Sequence, residues 1–316
     1  MLNTARCWKG IPCIRDRLED MNVVRRCKCV LLFDEMRLTR GLGHARSNQE
    51  EAEFCMYEWE PETQVYMMDI IWNLPGYGPI SREAPAMHIG FRQYRPNRLL
   101  LDDTVSVWKN NEGNIQTVEQ PPYAIFDTAA VKSTVERYFT GMLPNIEAWI
   151  FNRVRPDPIA SLTYQEAARI RAMKPRGNKN LIDLAMRMQC LSVVSQGYGT
   201  ILNEDIPGIR EYDYKIMGRS TYEAYDRTSL DRPLTHAMNH QMDVAALKYL
   251  NKLEKLFMKE LWTHISKSKI KPWYEIYLAL YVLLWNMEYI HRSAREYLEA
   301  KSGTVSPIAM CAHAED

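Results

Sequence analysis

Mostly apolar residues recur at steps of three or four through Asn239–Ser266: Met242, Ala246, Tyr249, Leu253, then Leu256 or Phe257, Glu260 or Leu261, and Ile265. Lys248, Lys252, Glu254, Lys255 and Lys259 fall on the opposite side, so the spacing predicts one amphipathic helix. After Lys271-Pro272, a second helical stretch, Trp273–Leu298, holds ten uninterrupted apolar residues from Ile276 to Trp285. A helix with no polar face must be surrounded by protein on most sides, which predicts that this segment is the centre of a helical core. Glu275, Asn286 and Glu288 keep the run below the roughly 18 residues a membrane span needs, so burial in protein rather than lipid is expected.

Upstream, Asp127 is placed to cap a helix carrying Val131, Val135, Tyr138, Phe139 and Met142 inward. Pro144 predicts a break and a second short helix over Ile146–Val154, closed by Pro156 and Pro158. Ser161 or Thr163 with Glu166 forms a capping-box pattern opening Tyr164–Met173. Asn180–Ser195 is strongly apolar and helical, ended by Gly197 and Gly199. Residues 203–234 read as loop with at most one short helix. Between 61 and 124, Pro61, Pro75, Pro79, Pro85, Pro96, Pro121 and Pro122 predict irregular chain, relieved by one short strand at Thr104–Trp108. The expected fold is mainly α: a helical bundle-like domain over 122–302, preceded by a proline- and glycine-rich region over 30–121 and a basic segment over 1–29, and followed by a tail over 303–316.

Forty basic and thirty-nine acidic residues leave a net charge of +1, which excludes a strong overall field for nucleic acid or anionic lipid. The charge is segregated, however. Residues 1–29 carry seven basic side chains against three acidic ones, and residues 30–62 carry three against eight. Any contact with DNA is therefore expected at the N-terminal segment, and no membrane partner is expected. Seven scattered cysteines do not form a paired secretory framework, and the start lacks a charged segment followed by an apolar one, so a reducing compartment, nucleus or cytoplasm, is expected.

Cys7 and Cys13 stand among Arg6, Lys9, Arg15 and Arg17, where thiolates could hold zinc beside a phosphate backbone; reduced surface thiols are the alternative. Cys27-Lys28-Cys29 is too tightly spaced for the usual zinc knuckle. The run Gly10-Ile11-Pro12-Cys13-Ile14-Arg15-Asp16-Arg17-Leu18-Glu19-Asp20, followed by Val23-Val24-Arg25-Arg26, resembles the tail of a fungal Zn2Cys6, or binuclear zinc cluster, transcription factor. There a proline precedes the last cysteine and a basic linker follows it. The stretch Lys271–His291 resembles a helical segment in the long C-terminal regions of such regulators. The resemblance implies that Cys7 and Cys13 are metal ligands, matching the fifth and sixth cluster cysteines, and that Arg15, Arg17, Arg25 and Arg26 lie near DNA. It further implies a nuclear, non-enzymatic protein whose helical domain binds protein partners. Four cluster cysteines are missing ahead of Cys7, and five residues rather than six to eight separate Cys7 from Cys13. The sequence thus looks like a fragment, a mis-started product or a degenerate relative. Zinc is expected only if the other half of the cluster is supplied, and autonomous DNA binding is expected to be impaired.

A structural or interaction module without DNA binding is the second reading. A metal-dependent hydrolase is the third, because His236, His240 and Asp243 share one side of a helix. Ala237 occupies the position where a zinc protease carries its catalytic Glu, which favours a merely polar face. Gly197-Tyr198-Gly199 lacks the context of a dinucleotide site, and no Gly-x-Ser-x-Gly elbow or phosphate loop occurs. Cys190 reads as a buried inert thiol, and Trp273, Tyr274, Tyr277, Tyr281 and Trp285 read as core or groove aromatics. Glu275 and Glu288 read as solvated ends of the apolar run.

Overall fold

The computed structural model describes residues 58–74, 78–80, 86–96, 104–109, 114–174, 180–195, 197–213, 230–266 and 270–302. Within the stretch expected to be irregular, residues 66–74 form a nine-residue strand, β1 (Tyr66–Leu74), in which Met68, Ile70, Trp72 and Leu74 are buried on one face and Met67, Asp69 and Ile71 between them are more exposed. β2 (Gly78–Pro79) turns back on its end. β3 (Met87–Gln93) pairs antiparallel with β1 in the register Tyr66↔Phe91 to Ile70↔Met87. The prolines punctuate these strands rather than forbid them: Pro96 follows β3, and Pro121 and Pro122 lead into β6. The expected strand at Thr104–Trp108 exists as β4 (Val105–Lys109), paired with β5 (Ile115–Glu119) in a separate ribbon. β6 (Tyr123–Ile125) closes one side of the main sheet against β3.

The helices follow. Asp127 caps α1 (Thr128–Val154) through Oδ1, which accepts from the backbone N–H groups of Ala129 and Ala130 at 3.0 and 2.9 Å. The expected break at Pro144 does not occur. Pro144 is exposed, and Phe139, Ile146, Trp149 and Ile150 on either side of it share one buried face, so packing carries the helix through the missing N–H. α2 (Pro158–Ala172) begins at Asp157-Pro158, earlier than the Ser161 or Thr163 capping pattern implied. Asp157 Oδ1 accepts from the N–H groups of Ile159 and Ala160, and proline suits the first helical turn. α3 (Leu181–Val194) has the expected bounds, with Asn180 as N-cap.

β7 (Tyr198–Ile201) then adds to the other edge of β1, Ile70↔Ile201 to Asn73↔Tyr198, so Gly199 belongs to a strand and not to a helix terminus. β8 (Tyr212–Asp213) and β9 (Leu230–Asp231) form a short ladder in the region expected to be loop. α4 (His236–Ser266) and α5 (Trp273–Ser302) complete the described chain.

α3, not α5, is the central helix. Every position of α3 except Arg187 is buried, and it packs against α1, α4 and α5. One apolar core joins the inner sheet face (Met68, Ile70, Trp72, Phe91, Ile125) to all five helices. Polar clamps hold the two layers together. Gln241 of α4 accepts from Ile125 N–H at 2.6 Å and donates to Ile125 C=O at 3.1 Å, completing the backbone pairing of β6 with a side chain. Thr235 Oγ1 donates to Tyr123 C=O, and Trp72 Nε1 donates to Val194 C=O at 3.0 Å. No helix among the described residues is long and apolar enough to cross a membrane.

Candidate interaction surface

Burial along α5 divides its apolar run by side. Ile276, Leu278, Ala279, Val282, Leu283 and Asn286 face inward and are buried, whereas Trp273, Tyr274, Tyr277 and Leu284 are 53–64% exposed. A run with no polar face has to leave an apolar stripe wherever the core does not reach it, and the core reaches α5 from one side. Of the aromatics expected in the core or a helix groove, Tyr281 and Trp285 are partly buried against the core, whereas Trp273, Tyr274 and Tyr277 face outward and are not core residues.

α2 lies against α5 in the opposite direction, since Glu166 hydrogen-bonds Tyr274 while Thr163, nearer the start of α2, hydrogen-bonds Tyr281. Both phenols are pushed above their ordinary pKa, chiefly by desolvation; the neighbouring Glu166 adds to the effect on Tyr274, and Asp157 to that on Tyr281. α2 contributes Ile159 (70% exposed) and Leu162 (66% exposed) to the same side. The Tyr277 and Tyr281 rings stand 6.1 Å apart between centroids. An aromatic and aliphatic face thus runs along the α2–α5 pair. Two of its flanking cations are engaged within the chain: Arg169 donates twice to Glu166, at 2.7 and 2.6 Å, and Lys271 lies 5.5 Å from the Trp273 ring centroid, while Glu288 is exposed one turn beyond Leu284.

Beneath one end of this face lies Glu275. It was expected to be a solvated helix end, but it is buried at 6% exposure, whereas Glu288 is exposed as expected. Its carboxylate accepts from Lys174 Nζ, and His264 Nε2 stands 3.9 Å from the other oxygen. His264 Nδ1, 2.8 Å from Glu260 C=O, is the donor there, which leaves Nε2 turned to the carboxylate. These contacts join the ends of α2, α4 and α5.

A second buried set ties the other helices. Arg171 donates to both oxygens of Glu147 at 2.7 Å and stands 3.8 Å from Asp183. Arg187 donates to Tyr249 OH at 2.9 Å, and that hydroxyl also pairs with Thr140 at 3.1 Å. Glu147 raises the Arg171 pKa against the opposing effect of burial. With two guanidiniums and two carboxylates, this set is a neutral structural network rather than a reactive centre. Cys190 is buried as expected, and desolvation pushes its thiol well above the ordinary range, away from nucleophilic use.

Cys7, Cys13, Arg15, Arg17, Arg25 and Arg26 lie outside the described residues. His236, His240 and Asp243 fall on the first turns of α4, beside the buried Ala237 and Met238. Among the described residues no group of three or more His, Cys, Asp or Glu is arranged to hold a metal ion.

The family model of the KpeA transcription factor matches residues 83–313, which spans β3 through α5 and includes the whole α2–α5 face. The chain belongs to the KpeA transcription factor family. A curated relative, the satratoxin biosynthesis SC3 cluster transcription factor SAT20 of Stachybotrys chartarum, is 24% identical over 301 residues, covering 94% of this chain. The chain spans 39% of the length of that relative. No solved structure matches. Membership of the KpeA family and the fungal relative point to a regulatory protein without enzymatic activity and give no support to the hydrolase reading.

Proposed function

We propose that this chain is the regulatory and protein-interaction region of a nuclear fungal transcription factor, and that its helical body receives other proteins on the α2–α5 face. The match of the KpeA family over 83–313 carries the reading, because it covers all five helices and the strands from β3 onward rather than the basic segment. The face supports it chemically: rigid, outward-facing aromatic side chains are what protein interfaces enrich at their centres. Residues 1–29 have a separate role in this proposal. Arg15, Arg17, Arg25 and Arg26 lie near DNA phosphates, and Cys7 and Cys13 serve as zinc ligands when further cysteines complete the cluster.

The test is a tethering assay. Residues 58–302 fused to a heterologous DNA-binding domain are expected to change the output of a reporter carrying that domain's site, and Tyr277→Glu with Leu284→Glu is expected to abolish the change. A reporter that ignores the stably expressed nuclear fusion defeats the proposal. The DNA role is read separately: binding of the 316-residue chain to duplex DNA should be weak, steeply salt-dependent and lost on replacing the four arginines. No binding at low salt favours the second reading, an interaction module that does not touch DNA.

A further inference from the structure

Residues 303–316 follow α5 directly and lie outside the described residues, yet the KpeA family match runs on through this tail to residue 313. Its composition suits an apolar surface: Val305, Ile308, Met310 and Cys311 fall in a stretch with no Asp, Glu, Lys or Arg between Lys301 and Glu315. Glycine just past a helix end, here Gly303, is the residue that most readily reverses the chain, and Pro307 favours extended backbone at Ser306 before it. The α2–α5 face is the exposed apolar surface beside which the tail begins, and contiguous apolar patches are rarely left uncovered.

Reach and charge agree with a tail folded back along α5. The 30 residues of α5 rise about 43 Å, and the 14 residues of the tail span at most ~46 Å when extended. A tail that reverses at Gly303 would bring Met310 and Cys311 level with the turn from Leu284 to Glu288, and Glu315 and Asp316 level with Trp273. At the first of these levels Leu284 is 64% exposed, with Leu162 and Ile159 of α2 at 66% and 70%. Asp157 and Glu288 both act on Tyr281 there, and the uncharged part of the tail passes these two acids without repulsion. The acidic end of the tail arrives where Lys271 lies over the Trp273 ring.

We propose that the tail is a strap: it reverses at Gly303, lays Ile308, Met310 and Cys311 on the α2–α5 face, and competes there with outside proteins. The docking stands apart from the proposed function, whereas the competition rests on it. Because the tail belongs to the same chain, it meets the face at an effective concentration on the order of 1 mM, so a face affinity of only about 0.1 mM keeps it docked roughly ten times as often as free. A partner must displace the strap, which makes the face conditional rather than constantly open.

Disulfide trapping in the 316-residue chain tests the docking. Glu288→Cys places a thiol on the exposed turn beyond Leu284, within reach of the native Cys311 of a docked tail. Under mild oxidation with diamide, peptide mass mapping is expected to find the introduced thiol bonded to Cys311 within one molecule. Ile308→Glu, a change confined to the tail, and Leu284→Glu, on the face, should each slow that bond on the order of 10-fold. A rate that neither variant changes means a free tail and overturns the strap, as does a bond formed only between molecules, which would make a second copy the occupant. The tethering assay reads the competition. A fusion of residues 58–316 should act on the reporter on the order of 10-fold less strongly than one of 58–302, and Ile308→Glu in the longer fusion should remove the difference. Equal, non-zero output from the two overturns the competition while leaving the proposed function standing. A trapped tail with a reporter that ignores both fusions does the reverse: the docked strap stands and the proposed function falls.

Discussion

Two glycine-to-alanine substitutions in this chain are expected to act in opposite directions. At Gly197, just before β7, an added Cβ would lie 2.2 Å from the backbone oxygen of Asn73 and 2.5 Å from Trp72 Nε1. Neither neighbour can yield cheaply. The carbonyl belongs to β1, the central strand, and the indole N–H is held by Val194 C=O at 3.0 Å while its ring is fully buried against Phe139. Relief of the clash must part β7 from β1 or pull Trp72 off its acceptor, so overpacking plus one or two lost hydrogen bonds gives a cost of about 2–4 kcal/mol. At Gly141, in the exposed middle of α1, an added Cβ meets nothing within 4 Å, and alanine should stabilise by ~0.5–1 kcal/mol through helix propensity and unfolded-state entropy. Thermal melts followed by tryptophan fluorescence and circular dichroism measure both. Gly197→Ala should lower Tm by about 5–10 °C and Gly141→Ala should raise it by ~1–3 °C. A Gly197→Ala protein that melts with the wild type would falsify the close approach of β7 to β1.

Three further substitutions or titrations probe the polar interior. Arg171→Met leaves Glu147 without its cation and Asp183 with Arg187 alone, and should cost ~3–5 kcal/mol by urea denaturation; a loss below about 1 kcal/mol would mean that water already reaches Glu147. Gln241→Leu removes both hydrogen bonds to Ile125 and should cost ~2–3 kcal/mol, with early exchange of the β6 amides as its signature; uniform protection across the sheet would contradict the clamp. Tyr164 is pushed far above its ordinary pKa by burial, and Tyr138 is raised by the same cause. Unfolded tyrosines ionise near about pH 10 while these two stay protonated in the fold, so stability should fall as pH rises through ~10 and above; ultraviolet difference titration should show them ionising only on unfolding, and early ionisation would refute their burial.

The helices were largely legible because their signals are local. Asn180 and Ser195 bracket α3 as the sequence indicates, and the period of α4 and the length of α5 follow from apolar spacing alone. Pro144 misled because a proline reports the propensity of one turn, whereas the buried face of α1 on either side of it is a tertiary fact. The sheet was missed for a related reason. From Tyr66 to Leu74 only Asp69 and Asn73 interrupt an apolar run, so the sequence shows no clean alternation, and β1 is stabilised by β7, which arrives only after three helices, a pairing no local pattern announces. The apolar face on α5 was half legible: the ten-residue run showed that no polar side exists, and only the position of α3 as the centre revealed which side is left outside.

The position of β1 also decides where the folded unit starts. The KpeA family match begins at residue 83, between β2 and β3, yet β1 is the strand on which β2, β3 and β7 all pair. Met68, Ile70, Trp72 and Leu74 are each at most 1% exposed and form the sheet's share of the common core. Their removal forfeits about 1.5–3 kcal/mol per side chain, on the order of 8–10 kcal/mol together, before any lost backbone pairing is considered. A domain of this kind has a net stability of about 5–15 kcal/mol, so a chain starting at residue 83 should lack a cooperative native state, while one starting at residue 58 should keep it. Far-UV circular dichroism and a thermal melt of 58–316 against 83–316 distinguish them. If 83–316 melts cooperatively within a few degrees of the longer chain, β1 is dispensable and the helical body stands without its sheet; if it does not, the folded unit extends upstream of the conserved match to include the strand around which both layers are assembled.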